Sequence, residues 1–174
     1  MNVKIIDSAI SDEDHKKIYD TLFGIHFPWY YANGVNLVPD EHYQFIHSFY
    51  YNHRPQSHYA DLLDPVLIQL DLVAIIRIKA NLTPSTPTII EHGMHIDVTN
   101  DPNSKNPRSA FPGKTAVYYV NDNDGYTTFE DGQKVQSKAN RLVIFDNNLK
   151  HSGSTCTDQK MRCVINFNYI ERIW

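Results

Sequence analysis

The triplet His95-Ile96-Asp97 places two side chains that bind metals two residues apart. On a strand, residues two apart point to the same face, so the imidazole and the carboxylate would converge while Ile96 packs away. A third ligand must come from another part of the chain, and His151, ahead of the last predicted strand, could supply it. Two histidines and one carboxylate on one face of an octahedral iron leave three positions open, which suits a chelating cosubstrate and O2.

Arg162 begins the last predicted strand, shortly after His151. A guanidinium is planar and can hold a carboxylate through two parallel hydrogen bonds, a geometry that lysine cannot match. By strand alternation, Arg162, Val164 and Asn166 face one way and the residues between them face the other. With nine histidines in the chain a lone His-x-Asp triplet is a weak signal. The spacing to His151 and Arg162 is what makes it informative.

Three further segments surround these residues, in the order KTAVYYVN, DGYTTFEDG and VQSKANRLVIFDNNLKHSG. Together with His95-x-Asp97, His151 and Arg162 they resemble the Fe(II)- and 2-oxoglutarate-dependent oxygenases, and most of all the prolyl-4-hydroxylase-like group, over about residues 73–170. That family has a Tyr-Leu-Asn-like strand, a Gly-Gly-x-Thr-x-Phe hairpin and a Pro-Lys-x-Gly-x-Leu-x-x-Phe strand in the same order. Asn140 stands where the family often has glycine.

The resemblance implies a role for each matching residue. It implies three iron ligands: His95, Asp97 and His151. Arg162 would pair with the distal carboxylate of 2-oxoglutarate, and the hydroxyl of Tyr119 would reach the same carboxylate, unless Tyr119 is only a buried core residue. Asn81 would lie near the cosubstrate on an early strand. The implied cofactors are Fe(II), 2-oxoglutarate as cosubstrate and O2, with ascorbate as a further candidate.

The implied reaction is hydroxylation of an unactivated C–H bond, with succinate and CO2 as co-products. The substrate would be a prolyl or other peptidyl residue; a small molecule or a free amino acid is the alternative on the same scaffold. A non-enzymatic metal-binding jelly roll is a further alternative, but such a module would not need Arg162. His92 could also join His95, Asp97 and His151 in a structural zinc site.

Helices are predicted before residue 73 and strands after it. Ser11 and Asp14 resemble a capping box, and further helices are predicted over Asp40–Tyr51 and Tyr59–Leu72, with Pro65 early enough to be tolerated. Roughly eight strands should follow. We therefore expect a single domain over 1–174: a double-stranded β-helix (jelly roll), mainly β, with a helical N-terminal support at 1–72 and a β-helix core at 73–170.

The strand region leaves two questions open. Arg77 and Lys79 share a face with Asn81, so either they meet anionic groups near a pocket or their strand lies at an edge. The segment Val98–Gly113 is either a substrate lid or a plain surface insertion. The predicted strands are 73–81, Thr88–Asp97, Lys114–Asn121, Tyr126–Phe129, Gln133–Val135, Arg141–Asp146 and Arg162–Ile170, with a hairpin turn at 122–125.

Composition narrows the class of protein without identifying it. The chain has 174 residues, 41% of them apolar, and a net charge of −4. A negative balance disfavours nucleic acid and anionic membranes as partners, and the apolar stretches are too short to span a bilayer. The N-terminal sequence has no apolar signal segment, and two cysteines make no disulfide framework. We expect a cytoplasmic protein with two buried thiols, acting on a peptide or a small molecule.

Overall fold

The computed structural model of the chain describes residues 3–35, 42–51, 53–97 and 113–172. The described elements are, in chain order, β1 (Lys4–Ile6), α1 (Asp12–Leu22), β2 (Tyr30–Ala32), β3 (Gln44–Tyr51), β4 (Arg54–Pro55), a 3-10 helix (Ala60–Leu63), α2 (Asp64–Leu67), β5 (Leu72–Pro84), β6 (Lys114–Tyr119), β7 (Tyr126–Phe129), β8 (Lys134–Gln136), β9 (Arg141–Asp146), β10 (His151–Gly153) and β11 (Met161–Glu171).

The strands form two antiparallel sheets. The larger has the order β1-β9-β6-β11-β5-β3-β2, with β4 paired to β3, and the smaller has the order β10-β7-β8. Apolar side chains such as Phe129 and Phe145 fill the space between the sheets. On the other face of the large sheet, the helices cover a second core that includes Ile18 and Ile165. The large sheet is therefore buried on both faces, as helices packed outside it require.

Strand β5 shows how one strand serves both faces. Ile78 and Ala80 belong to the core under the helices, whereas Lys79 and Asn81 line a cavity between the two sheets. This is the alternation predicted from the sequence. Because β5 lies between β11 and β3, the alternative that its charged residues mark a sheet edge is wrong. The polar face of β5 instead points into the interior of the sandwich.

The predicted helix over Asp40–Tyr51 is wrong, since Gln44–Tyr51 forms strand β3. The helix prediction rested on Tyr43, Ile46, His47 and Tyr50 at helical spacing. A different set, Phe45, His47 and Phe49, alternates as in a strand. The segment is rich in aromatic residues, which favour strands, and it pairs with β5. This pairing satisfies backbone groups that β5 would otherwise expose at an edge.

The predicted helix over Tyr59–Leu72 is present only as the 3-10 helix and the short α2. Pro65 lies in the first turn of α2, where a missing N–H is tolerated. Strands β1 to β4 also precede residue 73, so the expected helical support over 1–72 is wrong for much of its length. The first helix is as predicted, and Ser11 Oγ caps it by accepting a hydrogen bond from Asp14 N at 3.1 Å.

The predicted strand over Thr88–Asp97 is not continuous. It is reduced to two isolated bridges, Glu91 with Ser154 and His95 with His151. Gly93 lies between the two bridges, and glycine weakens a strand interior because it loses more conformational freedom than other residues. The segment therefore follows β10 without a regular ladder.

The residues 122–125 are wrongly predicted as a hairpin turn. They carry the chain from β6 in the large sheet to β7 in the small sheet. Asp124 fixes this crossing, because its carboxylate accepts hydrogen bonds from the backbone N–H and the hydroxyl of Thr157. A hairpin would have kept both strands in one sheet, so the carboxylate contact selects a different path from the one the turn residues indicate.

Asn140, where the resembled family often has glycine, has a φ of 61°. Asparagine is one of the few residues that adopt this left-handed conformation readily. Its side chain also ties down the N-terminal segment: Oδ1 accepts from Ile10 N at 3.1 Å and Nδ2 donates to Ile10 O at 2.9 Å. The departure from glycine therefore keeps the backbone conformation and adds two buried hydrogen bonds.

Three remaining expectations concern single segments or residues. The segment Val98–Gly113, predicted as a lid or an insertion, lies outside the described residues except for Gly113. Cys156 and Cys163 are buried free thiols, as predicted. No helix in the described ranges has the length and apolar character needed to cross a membrane.

Candidate metal centre and adjacent cavity

His95 and His151 are brought together by their backbones. His95 N donates to His151 O at 2.9 Å and His151 N donates to His95 O at 3.0 Å, so the two residues form a hydrogen-bonded antiparallel pair. Directly opposed residues of such a pair place their side chains on one face. The two imidazole centroids are 4.7 Å apart. Strand β10 therefore supplies one ligand and fixes the position of the other.

Backbone carbonyls orient both imidazoles. His95 Nδ1 lies 3.1 Å from Gly93 O, and His151 Nδ1 lies 3.0 Å from Leu149 O. Because a carbonyl only accepts, each Nδ1 carries a proton and each Nε2 of the neutral ring keeps its lone pair. The Nε2 atoms lie 3.6 Å and 3.9 Å from Asp97 Oδ1. The lone pairs of both rings are thus held beside the carboxylate.

The donor set fits a ferrous ion. One ligand atom from each of His95, Asp97 and His151 lies within 4.8 Å of the other two. Two imidazole nitrogens with one carboxylate oxygen are the donors of facial non-haem iron sites. His92 lines the same cavity but is not a member of this group. The arrangement therefore favours the three-ligand site over the four-ligand structural zinc.

Asp97 is anchored through both of its carboxylate oxygens. Asn168 Nδ2 donates to Asp97 Oδ2 at 3.0 Å, and Arg77 Nη2 lies 3.3 Å from Asp97 Oδ1. Arg77 Nε donates in turn to Asn168 Oδ1 at 2.9 Å. Asn168 is fully buried and also donates to Thr115 Oγ1 at 3.0 Å. This network fixes the carboxylate so that Oδ1 faces the two imidazoles.

The electrostatic environment holds Asp97 ionised. Burial raises the pKa of Asp97, but the contact with His95 and the charges of Arg77 and His151 outweigh it and keep that pKa far below its usual value. Burial lowers the pKa of His151, which favours the neutral, metal-binding form. Burial also lowers the pKa of His95, but the adjacent carboxylate outweighs this and raises it overall. Metal binding at His95 therefore competes with protonation of the imidazole.

Arg162 extends from β11 into the same cavity and is 4% exposed. Its Nε donates to Ser137 Oγ at 2.9 Å, and its Nη2 donates to Tyr126 O at 3.3 Å. Gly125 leaves room for the side chain, because a Cβ there would lie 2.7 Å from Arg162 Cδ. These contacts fix the guanidinium through Nε and Nη2. The donors of Nη1 have no acceptor among the described residues.

The charge of Arg162 is not compensated by the described part of the chain. No carboxylate there forms an ion pair with it, and burial lowers the pKa of its guanidinium. Arginine nevertheless stays charged in proteins. A buried charge without a partner costs several kcal/mol. The cavity therefore has the electrostatic character of an anion-binding site.

Comparisons with known proteins place this geometry in context. No family model and no curated protein matches the chain. It resembles a collagen prolyl hydroxylase of Paramecium bursaria Chlorella virus-1 in complex with 2-oxoglutarate, at 12% identity and a TM-score of 0.62, with 99% of this chain and 97% of that chain covered. It also resembles a Trichoplax adhaerens prolyl hydroxylase bound to a peptide of hypoxia inducible factor, at 13% identity and 0.65, covering 97% and 83%. A third is the α-ketoglutarate-dependent epimerase of nogalamycin biosynthesis, at 10% identity and 0.68, covering 97% and 78%.

The chain has the fold of the 2-oxoglutarate/Fe(II) oxygenases. The predicted fold class, a mainly β double-stranded β-helix, is thereby confirmed. The resemblance noted in the sequence is confirmed at the level of the fold as well. The same oxygenase fold serves prolyl hydroxylases and an epimerase. Because one fold hosts several reactions, the chemistry of this chain has to be argued from its own side chains.

Asn81 and Tyr119 take different places in the oxygenase fold. Asn81 is buried on β5 and lines the cavity. Tyr119 is fully buried and is not among the residues that line the cavity. Its hydroxyl donates to Thr127 Oγ1 at 2.7 Å, and its ring centroid lies 5.6 Å from Arg162 Cζ. Burial raises the pKa of Tyr119, so the hydroxyl stays protonated. A direct contact of either residue with a cosubstrate stays a prediction.

Sequence reasoning missed the residues that hold the predicted site in place. Ser137 and Thr127 orient Arg162, and Asn168 anchors Asp97. Asn168 continues the alternation from Arg162 along β11, so the strand pattern could have indicated it. Ser137 follows a short strand of the small sheet, and no pattern in the sequence connects it to a residue of β11.

Proposed function

We propose that the protein is an Fe(II)- and 2-oxoglutarate-dependent dioxygenase that hydroxylates an unactivated C–H bond, with succinate and CO2 as co-products. One observation carries the proposal: a buried arginine that has no counter-ion in the described part of the chain opens into the same cavity as a His-Asp-His triad. A metal site alone does not need that arginine. A dicarboxylate cosubstrate bound beside the metal does, which also counts against a non-enzymatic metal-binding module.

Three atoms would hold the iron: His95 Nε2, His151 Nε2 and Asp97 Oδ1. Bound there, Fe(II) supplies the activation of O2 that amino-acid side chains cannot provide. The protein fixes the direction of each donor: backbone carbonyls hold the imidazoles and Asn168 holds Asp97. Outer contacts of this kind typically change metal affinity by about 10- to 100-fold.

Arg162 would pair with the distal carboxylate of 2-oxoglutarate. Ser137 and Thr127 set the plane of the guanidinium, so little side-chain entropy remains to be lost when the carboxylate binds. Arg162 itself is 4% exposed, and a charge pair is stronger in such surroundings than in water. Asn81 offers a further polar contact to the cosubstrate. Ascorbate as a reductant of the iron stays a prediction.

The likeness to two prolyl hydroxylases, one of them bound to a peptide, supports a prolyl or other peptidyl residue as substrate. A small molecule or free amino acid is the second candidate. It is favoured by a specific observation, the partly buried cation of Lys79 on the wall of the cavity.

The first test is binding of 2-oxoglutarate to protein loaded with Mn(II), measured by isothermal titration calorimetry. Arg162→Ala should weaken binding by about 2–5 kcal/mol, because it leaves a desolvated carboxylate unpaired. Arg162→Lys should weaken it less, since the charge survives but the planar fork is lost. Arg172→Ala is the matched control, because Arg172 pairs with Asp71 at the surface. It should bind as the wild type does.

The second test is turnover. Protein loaded with Fe(II) should convert 2-oxoglutarate to succinate in air and not under nitrogen, and His151→Ala should be inactive. Equal affinity of the wild type and Arg162→Ala for 2-oxoglutarate would contradict the proposed role of Arg162. Succinate formation that does not depend on O2 would contradict the reaction class.

A further inference from the structure

Lys79 occupies the wall of the cavity close to the metal ligands. It lies opposite Asn166 of β11 and Ser48 of β3. Two residues earlier on the same strand, Arg77 contacts Asp97. Lys79 is therefore the next residue after Arg77 on the same face of β5, and Arg77 anchors the metal ligand Asp97. Arg162 is opposite Thr83, four residues further along β5, which is about 13 Å away at the usual rise of a strand.

Lys79 and Asn166 both lack partners in the described part of the chain. Nothing there accepts a hydrogen bond or forms an ion pair with the Lys79 ammonium. Asn166 Oδ1 is buried and has no hydrogen-bond partner there either. Buried polar groups in folded proteins are nearly always hydrogen-bonded. An unpaired buried oxygen of Asn166 next to the unpaired ammonium of Lys79 on a cavity wall indicates a ligand that offers a donor to the oxygen and an anionic acceptor to the ammonium.

The charge of the cavity requires more anionic groups than a single cosubstrate provides. Lys79, Arg162 and the adjoining Arg77 are cationic, and Asp97 is the carboxylate among the described lining residues. This leaves an excess of two positive charges when the histidines are neutral. A ferrous ion and the dianion of 2-oxoglutarate cancel each other, so the excess persists after both have bound. A further carboxylate would reduce it.

We propose that Lys79 forms a second carboxylate-binding subsite, that it takes a free carboxylate of the primary substrate, and that Asn166 Oδ1 accepts a hydrogen bond from a donor group of the same substrate. The inference rests on the proposed function and narrows its substrate class. Because Lys79 lies next to the anchor of Asp97, the carboxylate would be held only a few bonds from the carbon that is oxidised. A free amino acid or a related small carboxylic acid meets this requirement. An interior prolyl residue offers only neutral amides at that distance.

The experiment uses protein loaded with Mn(II) and saturated with 2-oxoglutarate, so that Arg162 is occupied and no turnover occurs. The probes are the proteinogenic L-amino acids, each compared with its carboxamide by isothermal titration calorimetry. At least one acid should bind about tenfold or more tightly than its amide, the equivalent of about 1.4 kcal/mol. Lys79→Met should remove that preference, and Lys79→Arg should retain part of it. Lys138→Met, at an exposed lysine that pairs with Asp7, is the control.

Each outcome is informative about a different step. If no acid binds better than its amide, or if Lys79→Met keeps the preference, the subsite is overturned. If Lys79→Met weakens 2-oxoglutarate itself as much as Arg162→Ala does, the carboxylate held at Lys79 belongs to the cosubstrate, and the inference is also wrong. If the wild type binds neither Mn(II) nor 2-oxoglutarate, it is the proposed function that fails. A melting temperature of Lys79→Met at or above that of the wild type excludes misfolding as the cause of lost binding.

Discussion

Lys79 gives a prediction in which stability and function move in opposite directions. Burial, together with the charge of Arg77, lowers the pKa of Lys79 to about 8, against the opposing influence of Asp97. The reference value is 10.5, and one pKa unit corresponds to about 1.4 kcal/mol. Below pH 8 the folded protein therefore carries a penalty of roughly 3 kcal/mol for holding this ammonium.

Methionine at position 79 keeps the length of the side chain and removes the charge. Lys79→Met should therefore raise the free energy of unfolding of the metal-free protein by about 3 kcal/mol at pH 7. For a domain of this size that corresponds to an increase in Tm of roughly 6–12 °C. Most core substitutions lower stability, so an increase of this size would be diagnostic of a relieved charge.

The stability should also depend on pH, in a direction that the lowered pKa of Lys79 fixes. The pKa of Lys79 is lower in the folded state, so between about pH 8 and 10.5 the unfolded chain binds more protons than the folded protein. Stability of the wild type must then rise with pH in this window. The advantage of Lys79→Met should shrink to about 1 kcal/mol at pH 10. Its advantage should be constant below pH 8, where Lys79 is protonated in both states.

The assay is urea denaturation of metal-free wild type, Lys79→Met and the control Lys138→Met at pH 7 and pH 10. The control should match the wild type within about 0.5 kcal/mol, because surface substitutions have small effects. A Lys79→Met protein less stable than the wild type at pH 7 would refute the reasoning. A stability difference that does not change with pH would refute the assignment of the penalty to the ammonium.

Three further predictions concern the ligands and their supports. Asn168→Ala should lower the affinity for Mn(II) by about 10- to 100-fold, measured by calorimetry, because Asp97 loses its anchor. His151→Ala should abolish tight metal binding while circular dichroism shows the fold retained, since two ligands cannot complete the facial set. Gly125→Ala should destabilise the protein by about 1–3 kcal/mol, because the new Cβ would displace Arg162. The same displacement should weaken the binding of 2-oxoglutarate. Unchanged affinity for the cosubstrate would contradict the role of Gly125 in positioning the guanidinium.

The strands after residue 73 could be predicted because their side chains alternate. In β9 and β7 the predicted bounds agree with the structure. The alternation in β5 correctly grouped Lys79 with Asn81 on one face, and the structure decides the open alternative, since that face and Arg162 of β11 line the cavity. This part of the fold follows from local sequence, because a strand with one apolar and one polar face can be oriented without knowledge of its neighbours.

The N-terminal region could not be predicted in the same way. The apolar residues of Gln44–Tyr51 satisfy a helical and a strand period equally, so local sequence does not decide between them. The decision is made by pairing with β5, a contact between segments far apart in the chain. The same holds for 122–125, where the contact between Asp124 and Thr157 selects a crossing over a hairpin.

In the candidate site, too, the local motif predicted some residues, whereas contacts between distant segments determine others. The sequence motif predicted His95, Asp97 and His151 as ligands, and the structure brings these three together. The alternation of β11 indicates the face on which Asn168 lies but not its partners, which are 71 and 91 residues away in the chain. The register of β11 against β5 is what places Asn168 opposite Arg77.

Buried charge offers an argument for function that is independent of the resemblance to any family. A fold selected only for stability would replace an uncompensated buried cation by an apolar residue, because such replacements are neutral or stabilising. Arg77 does not qualify, since Asp97 compensates it. Arg162 does, and it opens into the same cavity as the partly buried Lys79, which has no counter-ion among the described residues. Under the proposed function, both cations would be compensated when the carboxylates of the cosubstrate and the substrate bind.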